Sequence, residues 1–166
     1  HRPIPDNHYF QYRRSGQRNP DFEGRMERYR AFASPLSWDP GPSAQLLAVV
    51  PIDRSEPSSE HVAQLLPNLT VIRTTSPLDH RSTWIEVFPS QVSKSQAAEW
   101  LATRHGIPRG QVCAIGNDYN DSNLLAWAGD SYVVANAAPE LRARYAVVGA
   151  GGHCGVAEAV RRWRAV

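Results

Sequence analysis

Lysine is almost missing from this 166-residue chain: of 18 basic residues only Lys94 is lysine, and the rest are arginine. In so biased a composition, the one compact, point-like ammonium marks a position where an arginine fork would not serve. Cysteine is scarce too. Cys113 falls in an apolar stretch and Cys154 in a glycine-rich turn, a pair that offers neither a disulfide framework nor a metal-binding spacing and reads as reduced thiols in a cytoplasm. No apolar run approaches the roughly 20 residues a bilayer demands, so the sequence holds no membrane-spanning helix. Charge of one sign is also lacking. The net charge is +2 and the basic residues cluster only at Arg161, Arg162 and Arg164, a balance that does not fit nucleic acid as a partner. Neither a GxGxxG nor a Walker phosphate loop occurs, which removes the common nucleotide-binding modes, and there is no internal repeat or low-complexity tract.

What is present is concentrated in VCAIGNDYND, Val112 to Asp121. The apolar run Val112, Cys113, Ala114, Ile115 reads as a buried strand. Gly116 follows, and the next five residues bring Asn117, Asp118, Asn120 and Asp121. Ser122 or Asp121 can cap a helix through Leu124, Leu125, Ala126 and Trp127, so the oxygen-rich loop lies at the carboxyl end of a strand, where open α/β sheets place their ligands. Hard oxygen donors in that place suit Mg²⁺. A helix-loop-helix calcium site is excluded, because position 123 is Asn rather than Gly and position 129 is Gly rather than Glu.

The rest of the chain falls into two rhythms. Residues 8–13 read as a strand and 22–32 as a helix, closed by Pro35, Pro40 and Pro42. A strand over 46–52, a turn over 53–57, a helix over 59–66 capped by Ser58 or Ser59 and a strand over 69–74 follow. Over 83–88, Trp84, Glu86 and Phe88 alternate with Ile85 and Val87, as in a half-exposed antiparallel strand. After Pro89, helices and strands alternate strictly: a helix over 94–105 capped by Ser93, with Ala97, Ala98, Leu101 and Ala102 at core spacing, then the 112–116 strand. A strand over 131–135, a helix over 139–145, a strand over 146–149 and a helix over 156–163 complete the chain. Such alternation implies parallel pairing with right-handed crossovers. The expected organisation is an α+β domain over 1–88 and an α/β domain over 89–166.

The second half resembles the haloacid dehalogenase-like phosphohydrolases, and among them the Cof-type branch, which carries a mixed α/β cap. The resemblance is carried by the Ser93-Lys94 helix start, by GNDYND at 116–121, by Val133 to Ala137 and by Gly155-Val156-Ala157. It implies a Rossmann-like parallel sheet with helices on both faces, present here as a partial core (89–166), with 1–88 as an α+β cap-like domain. It further implies an Mg²⁺-dependent phosphatase working through an aspartyl-phosphate on a small phosphorylated metabolite, with Lys94 and Asn120 catalytic, the metal on Asp121, Asp118 and Asn117, and Gly116 and Asn136 shaping the phosphate loops. Asp121 matches the family's last acidic position. Asn117 stands where the family usually has an acid, so either Asn117 contributes a carbonyl oxygen or Asp118 takes over the metal.

One expected part is not found. The family's nucleophile sits in Asp-x-Asp-x-Thr at the end of a first core strand, and the nearest counterpart, Asp53, has Ser55 in the second position and too little chain before Lys94 for a further strand and crossover. The chain starts at His1, not Met. The sequence therefore leads to the expectation that an N-terminal segment supplies the nucleophile, that the 112–116 strand shows an unpaired edge favouring self-association, and that the chain alone is inactive. The rival expectation is a non-catalytic binding module that keeps the acidic loop.

Overall fold

A computed structural model describes residues 1–3, 5–16, 18–51 and 57–165. Asp53 and most of the expected 53–57 turn lie outside the described residues. The chain divides into two compact units, His1–Ser90 and Gln91–Val166.

In the first unit, strand β1 (Phe10–Tyr12) pairs in parallel with β2 (Ala33–Pro35), bracketing helix α1 (Pro20–Arg28). Pro35 is expected from the sequence to close the preceding helix. It is instead the last residue of a two-stranded edge, a position where a missing N–H breaks no ladder. Asn19 caps α1, its Oδ1 accepting the Phe22 amide at 3.2 Å, and Pro20 occupies the first turn, where its absent donor costs nothing. The Asn19 Nδ2 donates to the Val49 carbonyl at 2.9 Å and so ties the helix start to strand β3 (Leu46–Val50). Helix α2 (Ser59–Leu65), capped by Ser58, leads to β4 (Leu69–Thr75) and β5 (Thr83–Pro89), which form an antiparallel sheet in the order β3-β5-β4.

Strand β5 departs from the half-exposed expectation: Ile85 and Val87 are buried, and so is Trp84 on the opposite face. It is the central strand. Trp84 can be buried because its indole N–H donates to Asp21 Oδ2 at 2.6 Å, while Asp21 Oδ1 accepts the Ser76 hydroxyl at 2.6 Å; the carboxylate, 4% exposed, is bonded on both oxygens.

The second unit opens with α3 (Lys94–Arg104), whose cap Ser93 accepts the Gln96 amide at 3.2 Å. Gly106, at φ +65°, supplies the left-handed residue that ends it, and the Ile107 amide folds back on the Ala102 carbonyl. Of the four positions expected at core spacing, only Ala102 is buried. Leu101 is 51% exposed, because α3 packs chiefly against one short helix, α4 (Ser122–Trp127), which shields a single stripe.

Strands β6 (Cys113–Gly116), β7 (Asp130–Val134) and β8 (Ala146–Val148) form a parallel sheet in that order, flanked by α4, α5 (Pro139–Arg144) and α6 (Gly155–Arg164). Its core is wholly apolar: Ala114, Leu125, Val133, Val134, Ala137, Leu141, Val148 and Ala159. The α/β fold with a parallel sheet is thus as the alternation implied. Among the described residues, β6 has a strand neighbour on one side only.

Candidate active site

Strand β6 runs out at Gly116, and the chain turns at once through a 3₁₀ turn (Tyr119–Asp121) into α4. Gly116 is required for space: a Cβ there would stand 2.8 Å from Asp121 Cβ and 3.0 Å from Leu125 Cδ1. A larger residue would therefore push Asp121 out of its place.

Asp118 caps the 3₁₀ turn, its Oδ1 accepting the Tyr119 amide at 2.8 Å, and Asp121 reaches back toward the Asp118 amide in a capping box. Asp121 also occupies the N-cap position of α4 but makes no cap bond to that helix. Its carboxylate is drawn elsewhere. Oδ2 accepts the Asn117 amide at 2.9 Å, and Oδ1 accepts a short hydrogen bond from the Lys94 ammonium. Asp121 is 6% exposed, whereas the Lys94 side chain is 46% exposed, so a buried carboxylate holds a half-exposed lysine. A charge pair of this half-buried kind is worth about 1 kcal/mol or more, and stripping its cation costs more, since a buried charge is left behind.

The loop is braced from the start of α5: the Asn117 carbonyl accepts the Ala138 amide at 3.3 Å, and the Tyr119 hydroxyl donates to Glu140 at 2.9 Å. Asn120 is half-buried on the 3₁₀ turn, and its carboxamide makes no hydrogen bond among the described residues. The Asn117 carboxamide is exposed and likewise unengaged. Asn136 stands apart, its Oδ1 accepting the Gly151 amide at 2.9 Å to fix the turn before α6 rather than bonding any residue of the acidic loop. Sequence reasoning missed Asn123, on the first turn of α4, whose Oδ1 is buried without a hydrogen-bond partner among the described residues. Nothing in its local pattern separates it from a surface Asn.

Among the described residues no three His, Cys, Asp or Glu side chains converge as a metal cage. Mg²⁺ does not need one: it is commonly held by one or two carboxylates together with substrate oxygens and water. Asp118, half-buried at the strand end, and the exposed Asn117 oxygen fit that demand. Asp121 fits it less directly, because both its oxygens already accept hydrogen bonds.

A family model described as haloacid dehalogenase-like hydrolase matches residues 34–159. The chain is 43% identical over 81 residues to the phosphoglycolate phosphatase of Methanothermobacter thermautotrophicus, covering 48% of this chain and 36% of that protein. It is 30% identical over 82 residues to the HMP-PP phosphatase of Serratia proteamaculans, covering 48% of this chain and 30% of that protein. A solved structure of a haloacid dehalogenase-like hydrolase from Bacteroides thetaiotaomicron superposes with a TM-score of 0.60 at 22% identity, covering 92% of this chain and 56% of its own. The chain thus spans about a third of the length of the curated relatives it matches.

Proposed function

This chain belongs to the haloacid dehalogenase-like hydrolases, and on that premise we propose that it carries the phosphate-handling loop and the cap-like unit of an Mg²⁺-dependent phosphatase acting on a small phosphorylated metabolite. The observation that carries the reading is the buried Asp121 holding the chain's only lysine at the end of β6. Phosphoryl transfer asks a protein mainly for positioned charge. Lys94 supplies a fixed positive charge where the phosphoryl oxygens gather negative charge, and Asp121 positions that ammonium while holding the Asn117 amide. Asn120 offers a carboxamide N–H to a phosphoryl oxygen. Asp118 and Asn117, with Asp121 beside them, would hold Mg²⁺, which when bound offsets charge on the transferring group and orients it.

The attacking carboxylate belongs to an aspartate outside this loop. It forms a bond to phosphorus as the alcohol leaves, and water then cleaves the aspartyl-phosphate to release phosphate. We place that aspartate outside these 166 residues, a reading supported by the share of its relatives that the chain spans. The same reading leaves the side of β6 that has no strand neighbour among the described residues as the edge that either such a segment or a second copy of the chain would cover.

The test is turnover of a chromogenic phosphate ester by the complete protein with Mg²⁺, before and after Asp121→Ala. Loss of at least a thousandfold in kcat/KM is expected, about 4 kcal/mol of transition-state stabilisation. Undiminished activity would remove the loop from the reaction.

A further inference from the structure

The first unit contains a groove of about 560 Å³ between the edge strand β3 and the loop that leads into α1. Its rim is cationic. Arg13, Arg14 and Arg18 line it, and among the described residues Glu23 is the one acidic side chain that does. Glu23 is committed to Arg14, whose guanidinium bonds it at 2.5 Å and lies over the Tyr12 and Phe22 rings. Arg13 and Arg18 are exposed and make no hydrogen bond or ion pair among the described residues. Phe22, Val50 and Pro51 give the groove apolar lining. The wall nearest α1 is held in place by Asn19, itself buried and bonded to both the helix start and β3.

Two guanidiniums with no counter-charge among the described residues, facing a lined volume of the size that holds a drug-sized molecule, suit an oxyanion attached to an apolar body. The geometry points to a second ligand site in this unit, one that takes a small organic phosphate or carboxylate through Arg13 and Arg18 and seats its carbon skeleton against Phe22 and Val50. Arg14, already neutralised by Glu23, serves as part of the wall. The site stands on residues of the first unit alone and does not depend on the acidic loop or on the phosphatase reading.

The test is calorimetric titration of the 166-residue chain at low salt and without Mg²⁺, using phenyl phosphate and, separately, benzoate as probes, with inorganic phosphate as the anion lacking a skeleton. Phenyl phosphate or benzoate should bind, and whichever binds identifies the preferred acid group. Inorganic phosphate should bind several-fold more weakly than the better organic probe. R13Q/R18Q should weaken the organic probe at least tenfold, and Asp121→Asn should leave it unchanged. Should the glutamine variant lose its far-UV spectrum, R13K/R18K decides: it keeps the charge but loses the bidentate fork, and a several-fold weakening is expected. The proposal is overturned by absence of heat with both organic probes, by inorganic phosphate binding as tightly as the better organic probe, by unchanged affinity in a folded arginine variant, or by binding that disappears with Asp121→Asn.

Discussion

The two units solve the same problem of burial by different chemistry. Among the described residues, the eight core residues of the second are all apolar and Asp121 is its one buried charged or polar residue, whereas the first buries Asn19, Asp21, Thr74, Ser76 and Ser82. A parallel sheet between helices can be filled with Val, Leu and Ala, and its chemistry then concentrates at the strand ends. The first unit has an antiparallel sheet and short elements separated by long loops, and it joins α1 to the sheet through directional bonds: Asp21 to Ser76 and Trp84, and Asn19 to Val49. Where apolar area is small, satisfied polar bonds specify which surfaces meet, and each of them becomes expensive to break.

That contrast can be broken most sharply at Asp21. Asp21→Ala leaves the Trp84 N–H and the Ser76 hydroxyl unsatisfied in a buried place, and a loss of roughly 3–5 kcal/mol is expected, read as a fall in the denaturation midpoint followed by Trp84 fluorescence. In the apolar unit, Val133→Ala, at a site with no exposure, should cost about 2–3 kcal/mol through its cavity. If the valine proved the costlier of the two, the polar network would not be what fixes the first unit. Lys94→Met, which leaves Asp121 buried without its cation, should cost about 1–2 kcal/mol, and the double variant with Asp121→Asn should recover part of that loss in a denaturation cycle.

Asn123 sharpens the comparison from the other side. Its buried, unpartnered oxygen is a polar defect in the apolar unit, so Asn123→Ala should raise stability by about 1 kcal/mol in a thermal melt. The smallest effect concerns pH. The Gly149 amide, followed by Arg162 and Arg161, holds the Glu158 carboxyl below the ordinary glutamate range. A depressed folded-state value means that this contribution is present above the unfolded value and lost as pH falls through the folded one. Glu158→Gln should therefore flatten the acid-side slope of the thermal midpoint, with little change near neutrality.

The legibility of the two units in the sequence follows the same division. Strands β6, β7 and β8 and helices α3 and α6 lie within one or two residues of their expected spans, because periodic apolar residues bounded by Ser93, Gly106, Pro108 and Pro139 carry their own signal. Lys94 and Asp121 could be nominated from composition and loop chemistry, but their bond spans 27 residues and only the fold brings them together. The first unit was harder to read for a physical reason. Strand β2 exists because β1 pairs with it across α1, and Trp84 is buried because Asp21, 63 residues away, accepts the hydrogen bond of its indole N–H. Neither fact has a local signature. The excess of apolar positions assigned to the core of α3 has the opposite cause: periodicity shows that Leu101 is fit for burial but not whether a partner layer covers it.

The central claim is that the loop after β6 is the metal-holding and phosphate-facing part of this protein. Its most direct test is a titration of the 166-residue chain with Mg²⁺, followed by amide chemical shifts and repeated with Asp118→Asn. Saturable shifts centred on Gly116 to Asp121, absent in the variant, are predicted. Shifts centred elsewhere, or a response that survives Asp118→Asn, would contradict the account.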